Sequence, residues 1–541
     1  MPSVAETIAA TLRTNGIRRI FGLPGGEIAE LMGACRQVGI EFVLTRHENA
    51  ACIMAGVTGE ITRRPGVVMA TMGPGATNLV NGVANAFLER APLLALSAQV
   101  PTAVAPVLPH QRVDLRDLFR PITKWSEECD GTDTSRRVQR ALDLAAQGRP
   151  GPVYLALPSD VARQDDRPVS AGADAAEEPP EGSTPRRATD PALLDRASRL
   201  IAAANRPLAV AGIGLDPVAS RPFLLRFLEA TRIPVATTPK AKGLVPEDHP
   251  QFLATCTGMA GDGLFMDFLG GADLLIGIGF DPVEAIRVFY TQRPFLSLAR
   301  YSLADRDFRP TLEVVGEVQT TLPALQALGT PRNSWRPEEL AGFRRRLAAH
   351  LTPQAEDAHP GFSPTRALLR LREIAPRQTI LTVDTGAHKL LAGQVWPSYE
   401  PQTYFVSHGL STMGFALPAA IAVKLERPEA PVIALTGDGG LAMVLGELET
   451  AARLKLPVVV VVFVDRGLHL IRLHQERKGV EPNGVDFGPI DFAGIAPGFG
   501  ARGVRVRAWS VMEDAVRDGL ATDRPTVIEI PIDPSEYGRM L

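Results

Sequence analysis

The chain has 541 residues, 45% of them hydrophobic and 22% charged, and a formal net charge of −3. That balance belongs to a folded globular protein and excludes a disordered or collagen-like chain. The near-zero charge gives no call for nucleic acid or an anionic membrane surface, and the longest apolar runs, such as Val458 to Val464, are strand-sized and far short of a bilayer span. A chain this long outgrows one hydrophobic core, so three domains of roughly 150 to 190 residues are expected. Four cysteines, Cys35, Cys52, Cys129 and Cys256, show no C-x-x-C spacing. They read as buried small hydrophobes in a reducing compartment, which predicts a cytoplasmic protein.

Taken in order, Val4 to Gly16 has the pattern of a first helix with Glu6 near its start. The first block then carries Gly22-Leu-Pro-Gly-Gly-Glu27, Thr45-Arg-His-Glu-Asn-Ala-Ala-Cys-Ile-Met-Ala-Gly56, Gly66-Val-Val-Met-Ala-Thr-Met-Gly-Pro-Gly-Ala-Thr-Asn78 and Pro109-His-Gln-Arg-Val-Asp114. Asp165 to Asp190 is rich in Pro, Ala, Gly, Ser and charge and reads as a linker. A second shift lies near Pro331 to Pro364. Between the breaks, β-branched runs alternate with helical patterns, which is how parallel sheets with crossover helices read. The prediction is an α/β protein of three parallel-sheet domains: 1–165, 191–335 and 362–541, the middle one Rossmann-like. Its fragments Gly212-Ile-Gly214 and Gly277-Ile-Gly279 never complete G-x-G-x-x-G, so a dinucleotide site there is weakly signalled.

The last block holds the strongest local pattern. Val432 to Thr436 reads as a buried strand running into Gly437-Asp438-Gly439-Gly440. One helix is expected next, from the spacing of Leu441, Val444, Leu445, Leu448 and Ala452, and then the strand Val458 to Val464, ending at Asp465-Arg466-Gly467. Such a βαβ unit makes the strands parallel, so Asp438 and Asp465 both lie just beyond carboxyl ends, where open α/β sheets bind ligands. Alone, Gly-Asp-Gly is only a turn. Coupled to a second strand-end carboxylate and a helix N-terminus, it suits a magnesium ion bridged to a diphosphate, with Asp438, Asp465 and the carbonyl of Gly467 as ligands.

This segment resembles the thiamin-diphosphate motif of the acetohydroxyacid synthase and pyruvate decarboxylase superfamily, in which Gly-Asp-Gly is followed, about two dozen residues later, by Asn-Asn. Here Val464-Asp465 stand in place of the two asparagines, and Asp is an equal or better hard ligand. The resemblance implies that Gly437, Asp438, Gly439, Gly440 and Asp465 hold cofactor and Mg2+. It also implies that Gly386, Ala387 and His388, in Val383-Asp-Thr-Gly-Ala-His-Lys389, contact the diphosphate. In Ser407 to Pro418 it places Met413 as the wedge that bends the cofactor and the Ser411 carbonyl as acceptor of its amine proton. The first block resembles the pyrimidine-binding domain, with Glu48 as the residue that shares a proton with the aminopyrimidine ring. Gly25, Gly26 and Gln111 resemble loops facing the thiazolium from a partner subunit. Glu48 alone reads as a solvated charge at a helix start, and His47 as structural. Lys124 is as much a surface lysine as a site residue.

The implied enzyme acts on 2-oxo acids as a homodimer or homotetramer, by decarboxylating carboligation of acetolactate synthase type. The alternative is a 2-oxo acid decarboxylase that releases an aldehyde. The decarboxylase branch has paired histidines in its first domain, and here only His110 precedes Gln111, which favours the carboligase. The synthase's lid carries a Trp where this chain has His474, and its middle domain binds FAD through R-F-D-D-R. This chain reads Gly279-Phe-Asp-Pro-Val-Glu284 there, and the loss of both arginines argues against FAD. Two readings of other classes are a flavin or nicotinamide oxidoreductase and a non-catalytic relative. Retention of Glu48, Asp438 and Asp465 together counts against the second.

Overall fold

The computed structural model describes residues 1–540 except 106, 108, 168–188, 258–260, 285–292, 304–307, 330–331 and 353–360. Most of the 165–190 linker therefore lies outside the described residues. The described chain forms three six-stranded sheets, every pairing parallel.

The first sheet is built from β1 (Arg19–Leu23), β2 (Glu41–Leu44), β3 (Gly66–Ala70), β4 (Leu93–Gln99), β5 (Ser126–Glu128) and β6 (Pro152–Pro158), in the order β2-β1-β3-β4-β6-β5. The middle sheet comprises β7 (Pro207–Ala211), β8 (Val235–Thr237), β9 (Phe252–Thr255), β10 (Leu274–Ile278), β11 (Phe295–Ala299) and β12 (Leu312–Val315), ordered β12-β11-β10-β7-β8-β9. The third has β13 (Ile380–Val383), β14 (Tyr404–Val406), β15 (Val432–Gly437), β16 (Val458–Val464), β17 (Arg502–Arg505) and β18 (Thr526–Pro531), ordered β14-β13-β15-β16-β18-β17. First and third sheets thus share one topology, and the middle sheet has the strand order of a dinucleotide-binding fold. Helices cover both faces, which is why β4 is buried along its whole length and β16 up to its last residue, and why both read as continuous apolar runs.

The sheets group into two compact units. The first contains the described residues of Met1–Ser183 together with Gly409–Pro428 and Val444–Leu454; the rest of the chain makes the second. The first unit therefore takes two helices from the last third of the sequence. Ala416–Glu426 is buried on all sides from Ala416 to Lys424 and packs against the helix Glu48–Thr62. Glu447–Arg453 binds the β2 loop, with the Arg453 guanidinium donating to the Leu44 carbonyl. The single helix expected after Gly440 is two helices, Asp438–Val444 and Glu447–Arg453. The break falls at Gly446, where a Cβ would lie 3.2 Å from that of Arg46.

In the second unit the middle sheet buries carboxyls beside its switch point, Glu284 among them. Glu284 is 1% exposed. Burial pushes its pKa up to about 7, with hydrogen bonds from Ile213, Thr238 and Lys240 pulling down and the charge of Asp281 adding to the rise. Tyr301, bonded to Asp281, and His408, on which the Lys240 charge acts, also face this loop. A carboxyl whose folded pKa is raised gives a contribution that is full below its unfolded value and lost as pH climbs through the folded one. Glu284→Gln removes that titration; it also replaces one of the two acceptor oxygens by an NH2, an offset that does not vary with pH. The wild type should therefore lose about 3 kcal/mol relative to the variant between pH ~4.5 and ~7, measured by denaturant unfolding of both proteins across that range.

Candidate functional site

In the third sheet the chain switches direction between β13 and β15, the place at which open α/β sheets take ligands. The ends of these two strands supply the site. β13 runs into Asp384, which is fully buried and accepts hydrogen bonds from the Thr385 N–H at 2.8 Å and the Thr436 hydroxyl at 3.0 Å. Gly386 then caps the helix Ala387–Val395. β15 ends at Gly437, and Asp438 opens the next helix. Glycine is demanded by close approach here. A Cβ on Gly440 would sit 2.7 Å from Asp384 Oδ2, and one on Gly386 2.7 Å from the His388 ring.

His388 fills the floor of this cradle. It is 5% exposed and hydrogen-bonds the Asp384 carbonyl; burial, with the charge of Lys389 adding, pushes its pKa down to about 3. Its Nε2 is buried with no partner among the described residues. With the ring neutral and its other nitrogen donating to that carbonyl, Nε2 is an acceptor, so it is the backbone N–H groups at the helix start, and not the imidazole, that suit an anion.

Asp438 ties β15 to β16. Its Oδ2 accepts the Arg466 N–H at 2.6 Å and its Oδ1 the N–H of Gly439 at 2.7 Å. Burial, and after it the charge of Asp465, pushes its pKa up to about 6. Asp465 is held by the Gly467 N–H at 3.2 Å and lies 3.0 Å from His469 Nδ1. Arg466, between the two, takes φ 61, a left-handed conformation rarely seen outside glycine. No group of three or more His, Cys, Asp or Glu among the described residues is placed to hold a metal. Two neighbouring carboxylates with like charge, one raised by the other, fit a hard divalent cation that takes its remaining oxygens from carbonyls, water and a phosphate.

The first unit carries the other predicted residues. Glu48 begins the helix Glu48–Thr62 and is 4% exposed, so it is no solvated surface charge. Asn78 Nδ2 donates to its Oε2 at 3.0 Å, and a Cβ on Gly75 would sit 3.4 Å from its Oε1. The turn before it is gripped by Glu447, whose Oε1 accepts the N–H groups of Arg46 at 2.9 Å and His47 at 3.2 Å. His47 caps the helix by accepting the Asn49 N–H at 3.0 Å. Gly25 faces Thr71, whose Oγ1 a Cβ would meet at 2.3 Å, whereas the space beside Gly26 is open. Gln111 packs on Gly73 and, like Ser411, holds a left-handed backbone, φ 57 and φ 56. Strain of this kind gathers at ligand sites. The Ser411 to Met413 turn is anchored by Glu89, which accepts the Gly409 N–H at 2.7 Å, and by Asn81, which donates to the Thr412 hydroxyl at 2.8 Å.

Lys124 belongs elsewhere: its Nζ donates to the carbonyls of Leu144 and Gln147 and so caps the helix Thr134–Ala146. Asn78, Gly75, Asp384, Glu447 and His469 were not singled out from sequence. Asn78 and Asp384 sit inside motifs quoted above, and a buried polar residue directly after a strand or a glycine turn was the available signal.

Three family models match the chain. Models of the thiamine pyrophosphate enzyme N-terminal TPP binding domain, central domain and C-terminal TPP binding domain match residues 2–119, 194–325 and 384–530. A catabolic acetolactate synthase of Raoultella terrigena is 31% identical, covering 98% of this chain and 95% of its own. An acetolactate synthase of Bacillus subtilis is also 31% identical, over 98% and 93%. A probable acetolactate synthase large subunit of Methanocaldococcus jannaschii is 32% identical, over 98% and 92%.

The cradle makes a steric prediction. Gly440 lies within a helix, so Ala is tolerated by its backbone, but the new methyl must displace Asp384 or Thr436. Overpacking of this kind costs about 1–3 kcal/mol. Gly440→Ala should weaken thiamin diphosphate binding by roughly 5- to 150-fold, read by titration calorimetry, with little change in the sheet's circular dichroism.

Proposed function

Because the chain belongs to the thiamine pyrophosphate enzyme family and is an enzyme of the acetolactate synthase kind, we propose that it joins 2-oxo acids by magnesium-dependent, decarboxylating carboligation. Glu48 carries the reading: a buried carboxyl at a helix start, engaged by Asn78 through one oxygen and flanked by glycine at the other.

Asp438, Asp465 and the Gly467 carbonyl would hold Mg2+, while Gly386, Ala387, His388, Gly437, Gly439 and Gly440 would receive the diphosphate. When bound, the cofactor would supply an acidic carbon able to serve as nucleophile and electron sink. The chain's part is to prepare that ionisation. Glu48 holds a proton at the pyrimidine N1′, Asn78 fixes the carboxyl's rotation, and Glu447 fixes the turn that carries it. The Ser411 carbonyl accepts from the amine, and Met413 sets the bend. Gln111, Gly25 and Gly26 border the reacting side, where a single histidine, His110, stands in the loop. The lack of the decarboxylase branch's paired histidines favours capture of a second carbonyl over protonation to an aldehyde. The active species is read as a homodimer or homotetramer, and analytical ultracentrifugation at assay concentration tests that.

Replacing Asp465 by Ala removes a charged ligand, and cofactor affinity at fixed magnesium should fall at least ~10-fold. Asp465→Asn keeps an oxygen ligand and should bind nearly as the wild type. Equal affinity of all three proteins would remove Asp465 from the metal site.

Glu48→Gln retains size and the bond from Asn78 but cannot share its proton. Cofactor should still bind, while exchange of its C2 proton into deuterium oxide, followed by NMR after acid quench, should slow by about 10² to 10⁴. Products of pyruvate and 2-oxobutyrate turnover, identified by mass, then separate hydroxy-oxo acids from aldehydes. Exchange that is unchanged at full occupancy sinks the role of Glu48.

A further inference from the structure

The switch point of the middle sheet lies between β7 and β10, whose ends carry Gly212-Ile213-Gly214 and Gly279. In the third sheet the glycines at the matching place meet side chains, Asp384 and His388; here they meet the backbone of the facing loop. The Gly214 N–H donates to the Gly279 carbonyl at 2.7 Å. A Cβ on Gly212 would sit 2.7 Å from Phe280 Cα and 2.8 Å from the Gly279 oxygen, so the glycines serve loop-to-loop contact and leave no room for a ligand between them.

The donors that such a fold offers a phosphate are also taken. The Glu284 carboxylate accepts the Ile213 N–H at 2.8 Å and the Lys240 N–H at 3.2 Å, with the Thr238 hydroxyl as a further donor. These groups follow β7 and β8 at their carboxyl ends, where a dinucleotide's phosphate is ordinarily held. The residue is fixed from its other side too, because the His408 ring hydrogen-bonds its main-chain carbonyl. Asp281, at 0% exposure and bonded to the Tyr301 hydroxyl at 3.2 Å, adds a second carboxylate to the loop, which would repel a phosphate.

We propose that Glu284 is an intramolecular ligand: its side chain occupies the place at the middle sheet's switch point where a cofactor phosphate would dock, and the domain holds no flavin or nicotinamide dinucleotide. FAD, which the resemblance to the synthases raises, does not fit these residues. The proposal is independent of the carboligation reading, since it uses none of the residues assigned to that reaction.

The experiment uses the full-length chain loaded with thiamin diphosphate and magnesium, as wild type, Glu284→Ala and Glu284→Gln. Thermal unfolding is followed with sodium acetate against sodium chloride at equal ionic strength, and FAD and ADP are titrated by flavin fluorescence and by melting shift. Glu284→Ala should melt below both other proteins, and acetate, the side chain's own terminal group, should raise its melting temperature saturably by roughly 2–4 °C. Wild type and Glu284→Gln should ignore acetate, and the wild type should bind neither FAD nor ADP. Should Glu284→Ala not fold in chloride, its recovery by refolding in acetate supports the assignment and failure in both salts counts against it. Saturable binding of FAD or ADP by the wild type overturns the proposal, as does an alanine variant that melts with the wild type and is indifferent to acetate.

Discussion

All pairings in the three sheets are parallel, and this constraint organises everything else. A parallel strand can be followed by another only through a crossover, so within a sheet every strand's carboxyl end opens on the same edge. Where the winding reverses, the two chains leaving neighbouring strands diverge and a crevice is left. The molecule has three such places and uses them differently. Beside β13 and β15 the crevice is lined with glycine and a buried imidazole lacking one partner. Beside β7 and β10 it is filled by the chain itself. Beside β1 and β3 the loops bring Gly25 against Thr71 and Gly75 against Glu48.

Carboxylates gain their chemistry from how these edges treat charge. Asp438 is raised by burial and by Asp465, and Glu284 by burial alone in the main. The difference lies in what relieves the charge. Asp438 is met by N–H groups too, but it also faces a second acid across the ends of two strands, a pair of charges that suits a divalent cation. Glu284 is met by N–H groups, so it needs nothing from outside.

The strands β15 and β16 were legible from sequence because Val458 to Val464 is one apolar run and glycines mark the turn beside Asp438. The number of sheets was legible for the same reason. The subdivision of the helix after Gly440 was not, because the break at Gly446 answers Arg46, some 400 positions away in sequence. Asn78 and Glu447 escaped likewise: they act through contacts with residues 46 to 48, and no local period records such contacts. Gly26 shows the opposite case, a glycine in a resembling motif with open space beside it, so that no steric demand explains it. Lys124 looked like a site residue only until its helix-end carbonyls were seen.

The two helices lent to the first unit by the last third of the chain bear on how the protein is made. Residues up to 183 cannot finish their unit until residue 454 has been added, 271 positions later. At about 5–20 residues per second on a ribosome this is a wait of some tens of seconds. Throughout it the helix Glu48–Thr62, buried along most of its length in the finished unit, lacks the apolar helix Ala416–Glu426 that covers it. The nascent N-terminal unit is therefore a natural client for a chaperone that shields one sticky helix, and a gene cut between the sheets would yield a fragment that never loses that need.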